Sequence, residues 1–149
     1  MPQSYTSLVY HIVFGTKHCL SHIGKEVAPR LHAYLGGILR HLGGQPLLVG
    51  GVADHVHVLT LLSQDRAVKD VLRDLKANSS RWVHQEYRDL FDFGWQDGYS
   101  AFTVGVRGIP QVKAYIANQE EHHREVSYLH EVKEFLRVHE IPFDARYLV

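Results

Sequence analysis

The 149-residue sequence holds a single cysteine, Cys19. One thiol excludes an internal disulfide framework and any multi-cysteine zinc site. No stretch approaches the ~20 apolar residues that a membrane span requires, and the start lacks the basic-then-apolar pattern of a signal peptide, so the expected location is cytoplasmic. Neither sign of charge is in excess: Lys+Arg and Asp+Glu number 16 each, for a formal net charge of zero. That balance argues against a protein that coats duplex DNA by neutralising phosphates, and leaves room for a local basic face. A G-x-x-x-x-G-K phosphate loop is absent, so no nucleotide cofactor of that kind is expected. The aromatic run of an RRM is missing too. Low-complexity segments, repeats and linkers are absent, and the length fits one domain over residues 1–149. The surplus is histidine, with 12 residues, several able to carry charge near neutral pH.

Hydrophobic periodicity orders the chain. The segment "SYTSLVYHIVFGTK" alternates as a strand. In "GKEVAPRLHAYLGGILRHLGG", Val27, Leu31, Tyr34, Leu35, Ile38 and Leu42 form a helical stripe that Gly43-Gly44 closes, with Gly36 and Gly37 weakening it. "QPLLVGGVAD" and "HVHVLTLL" read as two strands turning near Ala53-Asp54. A long helix over roughly 66–87 follows, its inner face Val68, Val71, Leu72, Leu75, Ser79 and Trp82. "FGWQDGYSAFTVG" reads as a strand. Pro110 suits the first turn of a helix over about 111–126, and a last helix spans roughly 129–138. The order predicts an α+β, ferredoxin-like (RRM-like) βαββαβ fold with a mostly antiparallel sheet, followed by C-terminal helices. Two core helices would cover one sheet face, leaving the opposite face or its rim for a site.

In "GVADHVHVLTLL", His55 and His57 lie two apart on a strand and share a face, with Leu59 beyond them. Two neighbouring imidazoles can supply two metal ligands or an acid and a base. Taken alone, the pair fits histidines bonded to nearby backbone equally well. A histidine-triad nucleotide hydrolase is demoted, because its third histidine would fall at Leu59. Asp54 reads equally as a turn residue. Further on, "PQVKAYIANQEEHHR" places Tyr115 and Gln119 four apart, on one helix face.

These segments together resemble the HUH single-tyrosine transposases of small bacterial insertion sequences, the IS200-like type. The His-hydrophobic-His motif is His55-Val56-His57, and the tyrosine motif is Tyr115 with Gln119 in "YIANQ". The segments "YHIVFGTK", "LKANSSRW" and "WQDGYSAFTV" also match, so the likeness runs through essentially the whole chain. It implies a transposase that cuts and rejoins single-stranded DNA at hairpin-bearing element ends through a covalent 5′-phosphotyrosine bond. His55, His57 and Gln119 would hold one divalent ion, magnesium or manganese, and Tyr115 would attack phosphorus. Such chemistry conserves bond energy and needs no ATP. Two imidazoles suit manganese or a later metal better than magnesium. A phenol with a pKa near 10 needs help to ionise, and Asp54, His122 and Lys113 are the candidates.

The resemblance also implies a homodimer; in several relatives the tyrosine helix completes the partner's metal site. Gly105 and Gly108 in "GVRGIP" would be the hinge. Lys69, Arg73 and Lys76 make a basic stripe beside the acidic Asp70 and Asp74. Lys76, Ser79, Ser80 and Arg81 are the expected phosphate contacts, and Trp95, Tyr99 and Phe102 the candidate base-stacking residues. Three rivals make different predictions. A domesticated relative nicking repetitive palindromic hairpins would use the same site. A nonenzymatic single-strand binding module would ignore metal and Tyr115. A water-using phosphodiesterase would leave no protein–DNA adduct.

Overall fold

The computed structural model describes residues 3–148, so the ends of the expected 1–149 domain lie outside the described residues. Four strands form one antiparallel sheet: β1 (Val9–Gly15), β2 (Gln45–Val52), β3 (His55–Leu61) and β4 (Ser100–Thr103). Their spatial order is β2-β3-β1-β4, the order of a ferredoxin-like sheet. Helices α1 (Ala28–His41) and α2 (Val68–Glu86) cover one face. The other face carries α3 (Ile109–Ala117), the short α4 (Gln119–His122) and α5 (Tyr128–Val138). Among the described residues, no helix is long and apolar enough to cross a membrane.

Strand alternation divides the hydrophobic residues between two layers. Ile12, Phe14, Val56 and Val58 point to α1 and α2, where Leu31, Leu35, Leu39, Val71, Leu72, Leu75 and Val83 complete the main core. Val9 and Leu59 face the other way and pack against Ile116 of α3. Val13 and Phe102 meet Tyr128, Val132 and Leu136 around α5. Because both faces are covered, β3 is buried at six consecutive positions, His55 to Thr60.

The structure refines several expectations. The β2–β3 turn falls at Ala53-Asp54, as the pattern implied. On α1 the buried face includes Leu39, whereas Tyr34 stands 37% exposed and stacks on Trp82 with ring centroids 4.7 Å apart. Trp82 is half-buried, and Val83 takes the inner position instead. The strand expected over "FGWQDGYSAFTVG" shrinks to four residues. Its first half is a loop whose Gln96, Asp97 and Gly98 carbonyls accept from the Lys76 ammonium on α2. The helix expected over 111–126 breaks at Asn118, which has φ −100° and ψ 20°.

Glycine at position 50 is required by the closeness of α3. A Cβ there would lie 2.8 Å from Cγ2 of Ile116 and 3.3 Å from its carbonyl oxygen. Gly36 is buried beside Pro46, while Gly37, on the same helix, has open space around it. The two environments predict opposite signs. Gly50→Val should destabilise the fold by about 1–3 kcal/mol through overpacking. Gly37→Ala should stabilise it by about 0.5–1 kcal/mol through helix propensity. Urea denaturation of the two variants checks both.

Candidate active site

The period of two along β3 sets His55 and His57 on the α3–α5 side of the sheet, and both are fully buried. Asp54, the last turn residue, accepts from His55 Nδ1 at 2.7 Å. This bond fixes the His55 tautomer and aims Nε2 into the site, the carboxylate–histidine arrangement common behind metal ligands. The Tyr128 ring stacks on His55 with centroids 4.4 Å apart. Tyr128 in turn donates to Gln96 Oε1 at 2.6 Å, an oxygen that also receives the Gly15 N–H. On the neighbouring strand, His11 Nε2 lies 2.8 Å from His57 Nδ1.

Glu131 is the residue that sequence reading missed. It sits on the inner face of α5, 3% exposed, among Tyr128, Val132 and Leu136. Its Oε1 is 3.0 Å from His57 Nε2 and 3.2 Å from His55 Nε2. Its Oε2 is 3.1 Å from His123 Nε2 and accepts from the Tyr115 hydroxyl. The available signal was a glutamate on the apolar stripe of an amphipathic helix, a placement that demands a buried partner. His123, just beyond α4, was likewise unmarked; its Nδ1 donates to the Val126 carbonyl.

Tyr115 and Gln119 do come together despite the break between them. Gln119 is buried, with Oε1 3.2 Å from His55 Nε2. Its amide nitrogen donates to the Tyr115 carbonyl and, at 3.3 Å, to Glu131 Oε2. The Tyr115 ring lies 5.7 Å from that of His57, centroid to centroid. Of the candidates for activating this phenol, His122 is 3.2 Å from its hydroxyl, Asp54 belongs to His55, and Lys113 is exposed.

The donor chemistry fits a cation. Single donor atoms from His55, His57, His123 and Glu131 all lie within 4.8 Å of one another, and Gln119 adds an amide oxygen. Burial opposes charge on Glu131, yet hydrogen bonds from His123, His55 and His57 hold its carboxyl far below the usual range. Against the same penalty of burial, Asp54 and Glu131 raise the His55 pKa. Burial, and then Glu131, push the Tyr115 phenol well above its ordinary value. Burial, with His57 beside it, lowers His11 from 6.5 to about 3.

The expected DNA contacts on α2 divide. Ser79 is fully buried; its hydroxyl donates to Leu75 O at 2.6 Å and accepts from Trp95 Nε1 at 2.9 Å. Those bonds remove Ser79 from any phosphate contact, which corrects the expectation. Lys76 is half-buried, tied to the three loop carbonyls, and burial lowers its pKa to about 8. Ser80 is half-buried and Arg81 exposed. Ser80, but not Arg81, lines a cavity of about 420 Å³ together with Lys69, Arg73, Lys76, Trp95 and Tyr99. Trp95 and Phe102 are core residues, whereas Tyr99 is 37% exposed.

Fold and site together define a class: ferredoxin-like domains in which a His-hydrophobic-His strand meets a tyrosine helix. Residues 4–119 match the family described as "Transposase IS200 like", and the chain belongs to that family. It is 28% identical over 119 residues to the ISDra2 transposase TnpA of Deinococcus radiodurans, covering 76% of this chain and 85% of that one. A crystal structure described as a transposase candidate from the same organism is similar with a TM-score of 0.66 and 26% identity, over 80% of this chain and 96% of that chain. A REP-associated tyrosine transposase bound to a REP hairpin shares the fold, with a TM-score of 0.61 and 13% identity, over 85% of this chain and 76% of that chain.

The neutral His11 gives a pH prediction. Its folded pKa lies below the 6.5 of an unfolded chain, so the unfolded state takes up a proton that the native ring does not. His11 therefore supports the fold above pH 6.5, and that support is lost as pH falls from 6.5 toward 3. In thermal melts of the metal-free protein, His11→Asn should lose stability less steeply than the wild type across the upper part of that window.

Proposed function

We propose that this transposase cuts and rejoins single-stranded DNA at the hairpin-bearing ends of an insertion sequence, through a covalent bond to Tyr115. The observation that carries this reading is the Tyr115 hydroxyl lying in the same buried cluster as His55, His57 and Gln119, in a chain of this family. His55, His57 and Gln119 are the residues that would hold a divalent ion, magnesium or manganese. Such an ion, when bound, neutralises the non-bridging oxygens of a phosphodiester as charge builds there.

The chain's own groups do the rest. The Tyr115 oxygen attacks phosphorus in line, forming a 5′-phosphotyrosine bond as the bond to the 3′-oxygen breaks and that oxygen leaves as a hydroxyl. The phenolic proton passes to His122, whose Nε2 lies 3.2 Å from the hydroxyl, and the departing 3′-oxygen takes up a proton from solvent. In the second half-reaction a 3′-hydroxyl attacks the same phosphorus and the tyrosine recovers its proton. Asp54 and Tyr128 hold His55 in place, and the packing of Ile116 on Gly50 positions the tyrosine helix. Ser80, which lines the α2 cavity, and the exposed Arg81 next to it in the chain are the proposed phosphate contacts, with Tyr99 open to stacking. Lys76 shapes that surface by clamping the 96–98 loop. A hairpin-bearing single strand is the proposed partner, and a homodimer the proposed assembly.

The reading has one chain supply both halves of the site, because the Tyr115 ring lies 5.7 Å from the His57 ring of the same chain. The decisive experiment incubates end-labelled single-stranded DNA from the gene's flanks with the protein and manganese or magnesium. A covalent adduct should form, vanish with chelator, and fall by at least about a thousandfold in Tyr115→Phe. Cleavage without an adduct would point to water as the nucleophile. Mixing His57→Ala with Tyr115→Phe chains should restore nothing, because neither chain holds both groups; recovery would reveal exchange of the tyrosine helix.

The corrected α2 assignment is also testable. Ser79→Ala should cost about 1–2 kcal/mol of stability by leaving the Trp95 N–H without its acceptor. Arg81→Ala should leave stability within about 0.5 kcal/mol and weaken hairpin binding, measured by fluorescence anisotropy at fixed salt.

A further inference from the structure

We infer that the cavity beside the Tyr115 hydroxyl is a nucleobase subsite, which takes an adenine or cytosine flanking the scissile phosphate in preference to thymine. The inference rests on the reading that a single strand is brought to Tyr115, and it adds which base is held there and by what.

The position of the cavity carries the argument. It holds about 350 Å³, and Tyr115 lines it together with the two groups bonded to its hydroxyl, His122 and Glu131. Val126, Phe135 and Val138 make its apolar walls. A phosphate attacked by Tyr115 carries a nucleotide on either side, so a neighbouring base arrives within reach of this cavity. The volume lies at the lower end of ligand pockets, with room for one base and not for a duplex. The Phe135 ring stands 5.7 Å from that of Tyr115, at 80° to it, and Val138 is 60% exposed at the mouth. A base taken out of its stack regains contact against such aromatic and apolar side chains. Glu131 adds no free charge, because His57 and His123 occupy its two oxygens. Apart from Tyr115, every lining residue lies beyond 119, the end of the family match, so α5 and the link before it build the cavity.

The rim sets the preference. His139 Nδ1 donates to the Phe135 carbonyl at 2.8 Å, so Nε2 of the neutral ring is an acceptor. Glu134 accepts from Arg137 at 2.5 and 3.0 Å, and its carboxylate keeps further lone pairs to accept with. His130, on the same rim, can donate or accept and so does not alter the balance. A rim of acceptors matches the exocyclic amino groups of adenine and cytosine, which thymine lacks.

The test takes the full chain and dye-labelled single strands from the gene's flanks, with an abasic sugar at each position in turn. Binding is read by fluorescence anisotropy at fixed salt near about pH 8, where imidazoles are neutral. One abasic position, adjoining the phosphate at which the adduct forms, should weaken wild-type binding by at least about tenfold. Thymine at that position should bind at least about threefold more weakly than adenine or cytosine. In Phe135→Ala and Val138→Asp the same abasic change should cost less than about twofold, because the base has already lost its contacts. Val138 is the more exposed residue, so its variant guards against loss of folding in Phe135→Ala, and thermal melts verify both. Abasic sensitivity that persists in both variants would overturn the proposal. So would a wild type with no sensitive position, a sensitive position away from the scissile phosphate, or thymine bound as tightly as the amino-bearing bases. No adduct on any strand would instead sink the tyrosine reading, while the abasic scan of the variants still reports on the cavity.

Discussion

A buried carboxylate organises this molecule. Glu131 is 3% exposed, and a charge so placed costs several kcal/mol unless it is paired and hydrogen-bonded. Its partners come from every element around it: two histidines from β3, the tyrosine of α3, the amide that opens α4, and His123 beyond it. β3, α3 and α5 also have apolar anchors, Leu59, Ile116, and Tyr128 with Val132 and Leu136. Helix α4 has only four residues, far below the length at which a helix is stable by itself. The polar cluster therefore ties α4 to the second layer while it assembles the chemistry.

The sheet makes that cluster rigid. β3 lies between β2 and β1, with Val13 opposite His57 and Gly15 opposite His55 in the β1 register. One parity of β3 feeds the hydrocarbon layer under α1 and α2, and the other feeds the site. A slip of one residue would drive both imidazoles into the core and present Val56 and Val58 to the tyrosine. The two-residue turn at Ala53-Asp54 guards against this slip. It also supplies the Asp54 carboxylate that orients His55 and the carbonyl that receives the Thr16 N–H at 2.8 Å. A turn residue is thus part of the machinery, which explains why Asp54 read equally well as either.

What could be read in the sequence was what local period encodes. The alternation of β3 showed that His55 and His57 share a face, and the order of elements sufficed for the ferredoxin-like sheet. The resemblance singled out Tyr115 and Gln119, and these do lie beside the histidines. What escaped was non-local. Glu131 and His123 enter the site only because α5 folds back over β1 and β4, and no spacing in the chain records that return. Ser79 fell on the inner face by period and was also assigned a phosphate contact; the period was right, since Ser79 sits beneath the loop that Trp95 and Lys76 hold. A hydroxyl on a helix is legible as polar, but which surface covers it is settled by tertiary packing. The same holds for α1, where Tyr34 and Leu39 fit the stripe equally by period. Trp82 then drew the tyrosine outward into a stack.

Whether the tyrosine helix could serve a second chain is a question of hinge energetics rather than of contacts. The apolar anchors of α3 are Ile116 against Leu59 and Val9, with Ile116 seated on Gly50. An identical chain offers identical anchors, so an exchanged helix would recover the same packing. The difference lies in the link from β4 to α3. There Gly105 has open space around it and a single 3-10 turn, Val106–Gly108, leads into the helix. Extending that link would release Val104 and Ile109, which pack on the cluster around Ile116. Exchange would then cost the ordering of two chains into one assembly, offset by whatever new surface the partners bury. In the single chain the anchors are satisfied without that cost, so exchange would need a shared DNA or an added interface to supply the difference.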